Sequence, residues 1–422
     1  MTDERAGLHR RAAVVTVLVS FAVVAVLAAV AVPWQWVPGG HLVPAPASRL
    51  FSADQVARAE RYSWIQRGLA WSSLALTLAL LLALALTRWG ARLLRALTGA
   101  RRWWLAVPIG ALAVAVLERL VALPFGVVAQ HVDRVHGLSN QGWGGWVADQ
   151  GRSLLVSWLI TSLLLLVLVG CARRSPRWWF AWAGGLSLVL SFAGSFLYPV
   201  VVEPLFNHFT PMADGAFRSS VLRLADREGV HVDDVLVADA SRRTTTLNAY
   251  VSGFGSTRRV VVYDTLLNEL PPAEARVVVA HELGHARHDD VLLGTTLGAV
   301  GSVGGVALLA LVLDSRWLRR RSGVTGPGDP AVVAVVLAAV AVGSLLVSPL
   351  ENTVSRALEA RADRASLAAT HADATFVRMQ RQLALTSLQD PTPPRLSQLW
   401  FGSHPTVLQR AGLPASLRKA SR

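Results

Sequence analysis

Residues 275–294, "ARVVVAHELGHARHDDVLLG", change character halfway along. Val277–Ala280 form an apolar run of the kind a buried helix needs, and Val291 opens another. Between them stand His281, Glu282 and His285, and burying a helix requires none of the three. The stretch therefore joins a polar site to the threshold of a long apolar block.

Seven blocks are rich in Leu, Val and Ala and nearly free of charge: roughly 12–32, 65–87, 103–125, 153–171, 178–200, 291–313 and 331–350. Each is about as long as a helix crossing a hydrocarbon core of roughly 30 Å. With 53% hydrophobic residues in 422 and a mean hydropathy of +0.43, seven such blocks exceed what one soluble core can bury. The fold class expected is mainly α: a polytopic membrane protein with seven transmembrane helices and a small α+β domain. The first block follows "RAGLHRR" without a clear cleavage site and reads as a retained span.

The expected organisation is a membrane region of five spans at 1–200, a region outside the membrane at 201–290, two further spans at 291–350, and a C-terminal region outside the membrane at 351–422. Within 201–290 an amphipathic helix is expected near 213–228, and two β-branched runs, 234–238 and 259–263, read as a small hairpin or three-stranded sheet. "PPAEA" starts the helix that carries the opening motif, with Pro in its first turn. The C-terminal part reads as two or three helices broken by "DPTPP" at 390–394.

The net charge of +14 raises the question of nucleic acid. No motif for it is present, and arginines in membrane loops explain the excess. The single Cys171 excludes a disulfide framework or a cysteine metal site, and reads as a small packed residue at the end of an apolar block. One lysine, Lys419, among 41 basic residues points to a GC-rich bacterial genome and a cell-membrane location.

The charges also suggest an orientation. Arg5, Arg10 and Arg11, then five arginines in 88–102, three in 172–177 and four in 314–330 all fall on one side of a seven-span chain. The opposite short loops, 33–64 and 126–151, hold four: Arg49, Arg58, Arg61 and Arg134. The positive-inside rule then puts the N-terminus in the cytoplasm and both 201–290 and 351–422 on the far side.

His281 and His285 are four apart, so on a helix they share a face and match two corners of a tetrahedral zinc site. Glu282 projects beside them, placed to take a proton from a water that zinc activates. HExxH arises by chance about once in a hundred chains of this composition, and Gly284 leaves one side of the helix bare. The plain alternative is a helix with solvated histidines. A catalytic zinc needs a third ligand. In "ENTVSRALEARADRASLAA", Glu359 and Asp363 share a helix face, so Glu359 could ligate while Asp363 orients a ligating histidine. An ordinary charged face, with Arg356, Arg361 and Arg364 as partners, reads the same residues equally well. Glu118 and Arg119 sit inside the third block, where ionisable residues must face protein or water.

HELGH followed about 75 residues later by SRALEARAD resembles the M48 family of zinc endopeptidases, and within it the seven-span CAAX prenyl protease 1 (Ste24-type) branch. "EPLFNHFTP" (203–211), "LNAYVSGFGSTRRVVVYDTLL" (247–267) and "SHPTVLQR" (403–410) fit the same branch. The resemblance covers most of the chain and is specific over 203–410. It implies one Zn²⁺ per chain on His281, His285 and Glu359, with Glu282 as general base and Asp363 supporting a ligand. It also implies that Asn248, Ala249 and Tyr250 form an edge strand pairing with substrate backbone. His404 would steady the oxyanion, and Arg410 would orient its neighbours. Asp290 fits the wider family pattern as a residue that caps or orients the helix. The spans of the Ste24-type fold enclose a water-filled chamber, which Glu118 and Arg119 would line; neutralising one another within the bundle serves as well.

The expected partners are a peptide or protein substrate, membrane-associated or lipidated in one version, and the lipid bilayer. The resemblance places catalysis on the cytosolic side and the arginine distribution on the other. The distribution is preferred because all four basic segments agree. Two other readings stand beside this one. An HtpX-like quality-control protease would have four spans, and a transporter or channel would make the HELGH incidental.

Overall fold

The computed structural model describes residues 7–253 and 258–421. Arg5 of the basic N-terminus, and residues 254–257 of the stretch at 247–267, lie outside the described residues.

The membrane region is built from α1 (Arg10–Ala31), α2 (Ala53–Leu86), α3 (Arg88–Thr98), α4 (Trp103–Val135), α5 (Trp143–Arg174) and α6 (Trp179–Leu197). The first catalytic part follows: β1 (Phe209–Pro211), α7 (Ala216–Arg227), β2 (Asp234–Ala238), β3 (Ala249–Ser252), β4 (Arg259–Tyr263), α8 (Asp264–Glu269) and α9 (Pro272–Arg287). Next come α10 (Asp290–Leu313), α11 (Arg316–Ser322), α12 (Val333–Thr370), α13 (Asp373–Thr386), α14 (Arg395–Phe401) and α15 (Val407–Ala420). Among the described residues, seven helices are long and apolar enough to cross a membrane: α1, α2, α4, α5, α6, α10 and α12.

Several of these helices overrun their apolar blocks. α2 has 34 residues, about 51 Å at 1.5 Å per residue, against a core of roughly 30 Å. It starts twelve residues before its block because Ser52 and Gln55 form a reciprocal capping box, which satisfies backbone donors that the helix start leaves open. α12 runs for 38 residues, and its last turns leave the apolar block and enter the catalytic part. The 88–102 segment, expected as a loop, contains α3, which buries Gly90, Ala91, Leu94 and Thr98 and turns its arginines outward.

The spans touch in a ring: α12 on α2, α2 on α4, α4 on α5, α5 on α6, α6 on α10, with α10 returning lightly to α12 and α1 packed outside α10. The basic segments gather at one end. Arg10 pairs with Asp314 at 2.8 Å, Arg95 with Asp329 at 2.9 Å, and Arg173 donates to the Gly328 carbonyl at 2.9 Å. Both catalytic parts lie at the other end, where the 136–142 loop docks on them through Ser139 Oγ and the Arg243 carbonyl, 3.1 Å apart. In the third span, Arg119 donates to Gln150 Oε1 of α5 at 2.5 Å. No ion pair joins it to Glu118 among the described residues.

The sheet has four strands in the order β1-β2-β4-β3. β2 and β4, the two β-branched runs, pair in parallel, so they form no hairpin. Twenty residues separate them, which is crossover length, and β3 returns antiparallel onto the far side of β4. β3 is therefore an edge. Its core side, with β4, α7 and α9, forms one apolar cluster around Val262, Leu266, Leu283 and Phe376.

The opening stretch is two helices and not one. α9 ends at Arg287, and Asp289 takes a left-handed conformation at φ 52°, which Asp tolerates better than most residues. Behind α9 lies α12. A Cβ on Gly284 would stand 3.0 Å from Ala365 Cβ and 3.3 Å from Ala362 Cα, so glycine permits the two helices to touch. Ser366 Oγ bonds the Val277 carbonyl across the same seam at 2.9 Å. After α12 the chain forms three more helices. The C-terminal part thus has four helical elements, because Gly402 and Pro405 split α14 from α15 and the tail of α12 counts as a fourth.

Candidate active site

α9 presents His281 and His285 one turn apart, with ring centroids 4.8 Å apart and planes at 88°. Each ring is held by its outer nitrogen. His281 Nδ1 lies 2.9 Å from Asp363 Oδ1 and His285 Nδ1 lies 2.8 Å from Asp290 Oδ2. A carboxylate acceptor there fixes the Nδ1–H tautomer and leaves a lone pair on Nε2. The two Nε2 atoms face each other at 3.2 Å. Glu359 of α12 closes the triangle, 3.2 Å from His281 Nε2 and 3.4 Å from His285 Nε2. One ligand atom from each residue lies within 4.8 Å of the others.

The arrangement draws positive charge. Two lone pairs and a carboxylate at this range repel unless a cation or protons lie among them. Burial pulls the His285 imidazole down, yet Asp290 and Glu359 outweigh it and lift it to about 10. Glu359 Oε2 is buried without a hydrogen bond, an expensive state for a carboxylate oxygen unless it binds a metal. Asp363 and Asp290 have their own arginines, Arg410 at 2.5 Å and Arg361. Glu282 and Glu359 have no such ion pair among the described residues, which leaves two negative charges for a divalent ion. Two imidazoles and a carboxylate are also a donor set typical of catalytic zinc. On each of these grounds the residues fit the metal.

Burial pushes the Glu282 carboxyl up, with the two histidines opposing. The carboxylate contacts of both imidazoles go to Asp363, Asp290 and Glu359, so Glu282 is left out of the cluster's bonding. A groove of about 220 Å³ opens beside it, between Tyr250 and Val251 of β3 and Glu282 and His285 of α9, with Val291 and Leu292 below. Ala249 is buried under the strand. Asn248 lies just before it, its carbonyl accepting from Tyr263 N at 3.0 Å. Tyr250 is pinned by Glu203 at 3.2 Å.

His404, between α14 and α15, lies on the rim with Nε2 3.3 Å from Glu359 and a side chain 55% exposed, against 8% for His281. It can therefore meet an incoming ligand where His281 cannot. Arg410 of α15 is buried behind the site, with Nε 2.9 Å from Asp363 and its terminal nitrogen 3.4 Å from His281 Nδ1. His288 is exposed, as its position off the shared face predicts. The sequence reading gave Asp290 only a capping or orienting role. Its service to His285 depends on the break between the two helices at Asp289, which turns the start of α10 back toward α9.

Comparison with known proteins gives a consistent picture. The profile of Peptidase family M48 matches residues 211–413, and that of the CAAX prenyl protease N-terminal region, five membrane helices, matches 39–208. An uncharacterized metalloprotease of Bacillus subtilis, YhfN, is 31% identical over 299 residues, 70% of each chain. A CAAX prenyl protease 1 homolog of Oryza sativa subsp. japonica is 27% identical over 312 residues, again 70% of each. The crystal structure of S. mikatae Ste24p has the same fold, with a TM-score of 0.77 at 20% identity, covering 95% of this chain and 98% of that one.

Proposed function

The chain belongs to peptidase family M48, in its Ste24-type branch, and from that premise we propose that it hydrolyses peptide bonds with zinc on His281, His285 and Glu359 and with Glu282 as general base. It is a multi-pass membrane metalloprotease; the ligand set, the base and the roles below are our reading. The observation that carries it is the convergence of two Nε2 atoms, 3.2 Å apart, on the Glu359 carboxylate, whose Oε2 lies 3.2 Å from His281 and whose Oε1 lies 3.4 Å from His285. When bound, zinc supplies Lewis acidity toward the scissile carbonyl and the attacking water.

The chain's own residues do the rest. Asp363 and Asp290 hold the imidazoles in register. The exposed edge of β3, at Asn248, Ala249 and Tyr250, takes substrate backbone as an added strand. That fixes an extended peptide over the groove and makes little demand on its sequence. Glu282, its carboxyl raised by burial, takes the proton of the attacking water and passes it to the leaving amine. His404 donates to the oxyanion from the rim, and Arg410 holds Asp363. The substrate class is therefore an extended peptide or protein segment, lipidated or not. The catalytic region so defined comprises 201–290 and 351–422, joined through the spans at 291–350 to the membrane region at 1–200.

Purified protein is expected to carry one zinc per chain and to cleave casein, to lose activity to a chelator and to regain it with zinc. A metal-replete preparation that binds no zinc would overturn the reading. One that binds zinc but spares casein would leave the site and move the search to other peptides.

The arginine-rich end is proposed to face the cytoplasm and the catalytic end the opposite side. An alkaline phosphatase fused to the C-terminus and expressed in a bacterial host is then expected to be active. An inactive phosphatase together with a fluorescent cytosolic reporter at the same position would reverse the orientation.

A further inference from the structure

The connection between the first two spans is more than a linker. Residues 33–51 hold little regular structure beyond a short turn at Ala47–Arg49, yet they follow α15 along its length as a strap. A Cβ on Gly40 would stand 2.9 Å from Ala420 Cβ. Val43 N–H donates to Ser416 Oγ at 3.0 Å, and Ala45 N–H donates to the Leu408 carbonyl at 2.8 Å. Leu50 and Phe51 finish the run against Val407, Leu408 and Ala411, while Val37 is buried in the catalytic core at 3% exposure. At the middle of the strap a Cβ on Gly412 would fall 2.2 Å from the Val43 carbonyl oxygen. Strap and helix therefore meet backbone to backbone, and only glycine allows it.

Arg410 stands two residues before Gly412 on the same helix and reaches the other way. Its fork grips both oxygens of Asp363, at 2.9 and 2.5 Å, and Asp363 in turn holds His281 Nδ1 at 2.9 Å. A bidentate guanidinium–carboxylate pair is planar and intolerant of displacement. The depth at which α15 sits therefore sets where Asp363 sits.

We propose that the 33–51 strap is a positioning element of the metal site, acting through Arg410 and Asp363 on His281, with Gly412 and Ser416 as its receiving residues on α15. None of these strap or helix residues touches a metal or a substrate in this arrangement. The inference rests on the zinc reading above. It adds that the catalytic part depends on a connection that lies 373 residues away in sequence where Val43 meets Ser416.

The test is Gly412→Ala in the full-length protein, with zinc affinity measured by chelator competition and site geometry by the visible spectrum of the cobalt-substituted form. Alanine is the better helix former, so a purely local effect would strengthen α15. The strap predicts the opposite: a roughly 10–100-fold loss of zinc affinity, the scale seen when a ligand's supporting partner is lost, with an altered cobalt spectrum. Arg410→Ala is expected to lose a similar amount, and the double variant no more than Arg410→Ala alone, since both act on one chain of contacts.

Wild-type affinity in Gly412→Ala, or losses that multiply in the double variant, would overturn the proposal. Should Gly412→Ala fail to fold, Ser416→Ala removes the acceptor for Val43 N–H together with the hydroxyl's own bond to the Gly412 carbonyl within α15. It is expected to lose roughly 2–10-fold, and that loss should vanish in the Arg410→Ala background; a loss that persists there counts against the strap. Absence of zinc from the wild type would instead defeat the reading beneath it, so the two failures are distinguishable.

Discussion

Replacing Glu282 by glutamine is expected to lower turnover by about 10²–10⁴-fold, the usual contribution of a positioned acid–base group, while zinc content stays at one per chain. The substitution keeps size and shape and removes only the capacity to take a proton. The two imidazoles are held by Asp363, Asp290 and Glu359, so the metal site loses none of its supports. The raised Glu282 carboxyl fits a base that must accept a proton near neutral pH and give it back within the same cycle. The measurement pairs zinc analysis with casein turnover on wild type and Glu282→Gln, with circular dichroism as the control for fold. Full activity in the variant would remove Glu282 from the mechanism. Loss of zinc together with activity would make it a structural member of the site.

Much of the fold was legible because a membrane span announces itself in composition. The seven apolar blocks need no partner to be recognised, and all seven correspond to helices. Where those helices end was not legible. The polar turns of α2 before residue 65 and of α12 after 350 look like loops to a hydropathy reading, although the Ser52–Gln55 box marks the start of α2. The parallel pairing of β2 with β4 was hidden too, since two short apolar runs carry no sign of direction.

In the site, HELGH was plain because its spacing is helical and its residues out of place in a core. Glu359 and Asp363 were ambiguous from sequence because a charged helix face has the same spacing as a ligand and its neighbour. Contact with α9 at Gly284 distinguishes the two. The strap was invisible. It reads as a Pro- and Gly-rich connector, and its bonds are made by backbone groups, which leave no trace in residue identity.

Glu359→Ala should have the second large effect. Zinc affinity is expected to fall beyond the roughly 10–100-fold that loss of an outer partner costs, leaving the purified variant metal-free and inactive. Glu359 is 8% exposed, and the contacts that go with it are those to the imidazoles of His281, His285 and His404 at 3.2–3.4 Å. Charge goes with them. Asp363 and Asp290 are already matched by Arg410 and Arg361, and without Glu359 only Glu282 remains to balance a divalent ion beside two neutral imidazoles. Glu359→Gln separates the contributions, because it keeps the oxygen and removes the charge; its affinity should fall between wild type and alanine. Unfolding temperatures of the metal-free forms supply the control. Metal-free Glu359→Ala should unfold earlier than metal-free wild type, because without metal the Glu359 carboxylate faces imidazoles that its charge helps to protonate; a single cooperative transition in both shows that the zinc loss is not a loss of fold. Wild-type zinc content and affinity in Glu359→Ala would return Glu359 to the charged face of α12 and send the search for a third ligand elsewhere, with His404, 3.3 Å from Glu359 on the rim, the first to test.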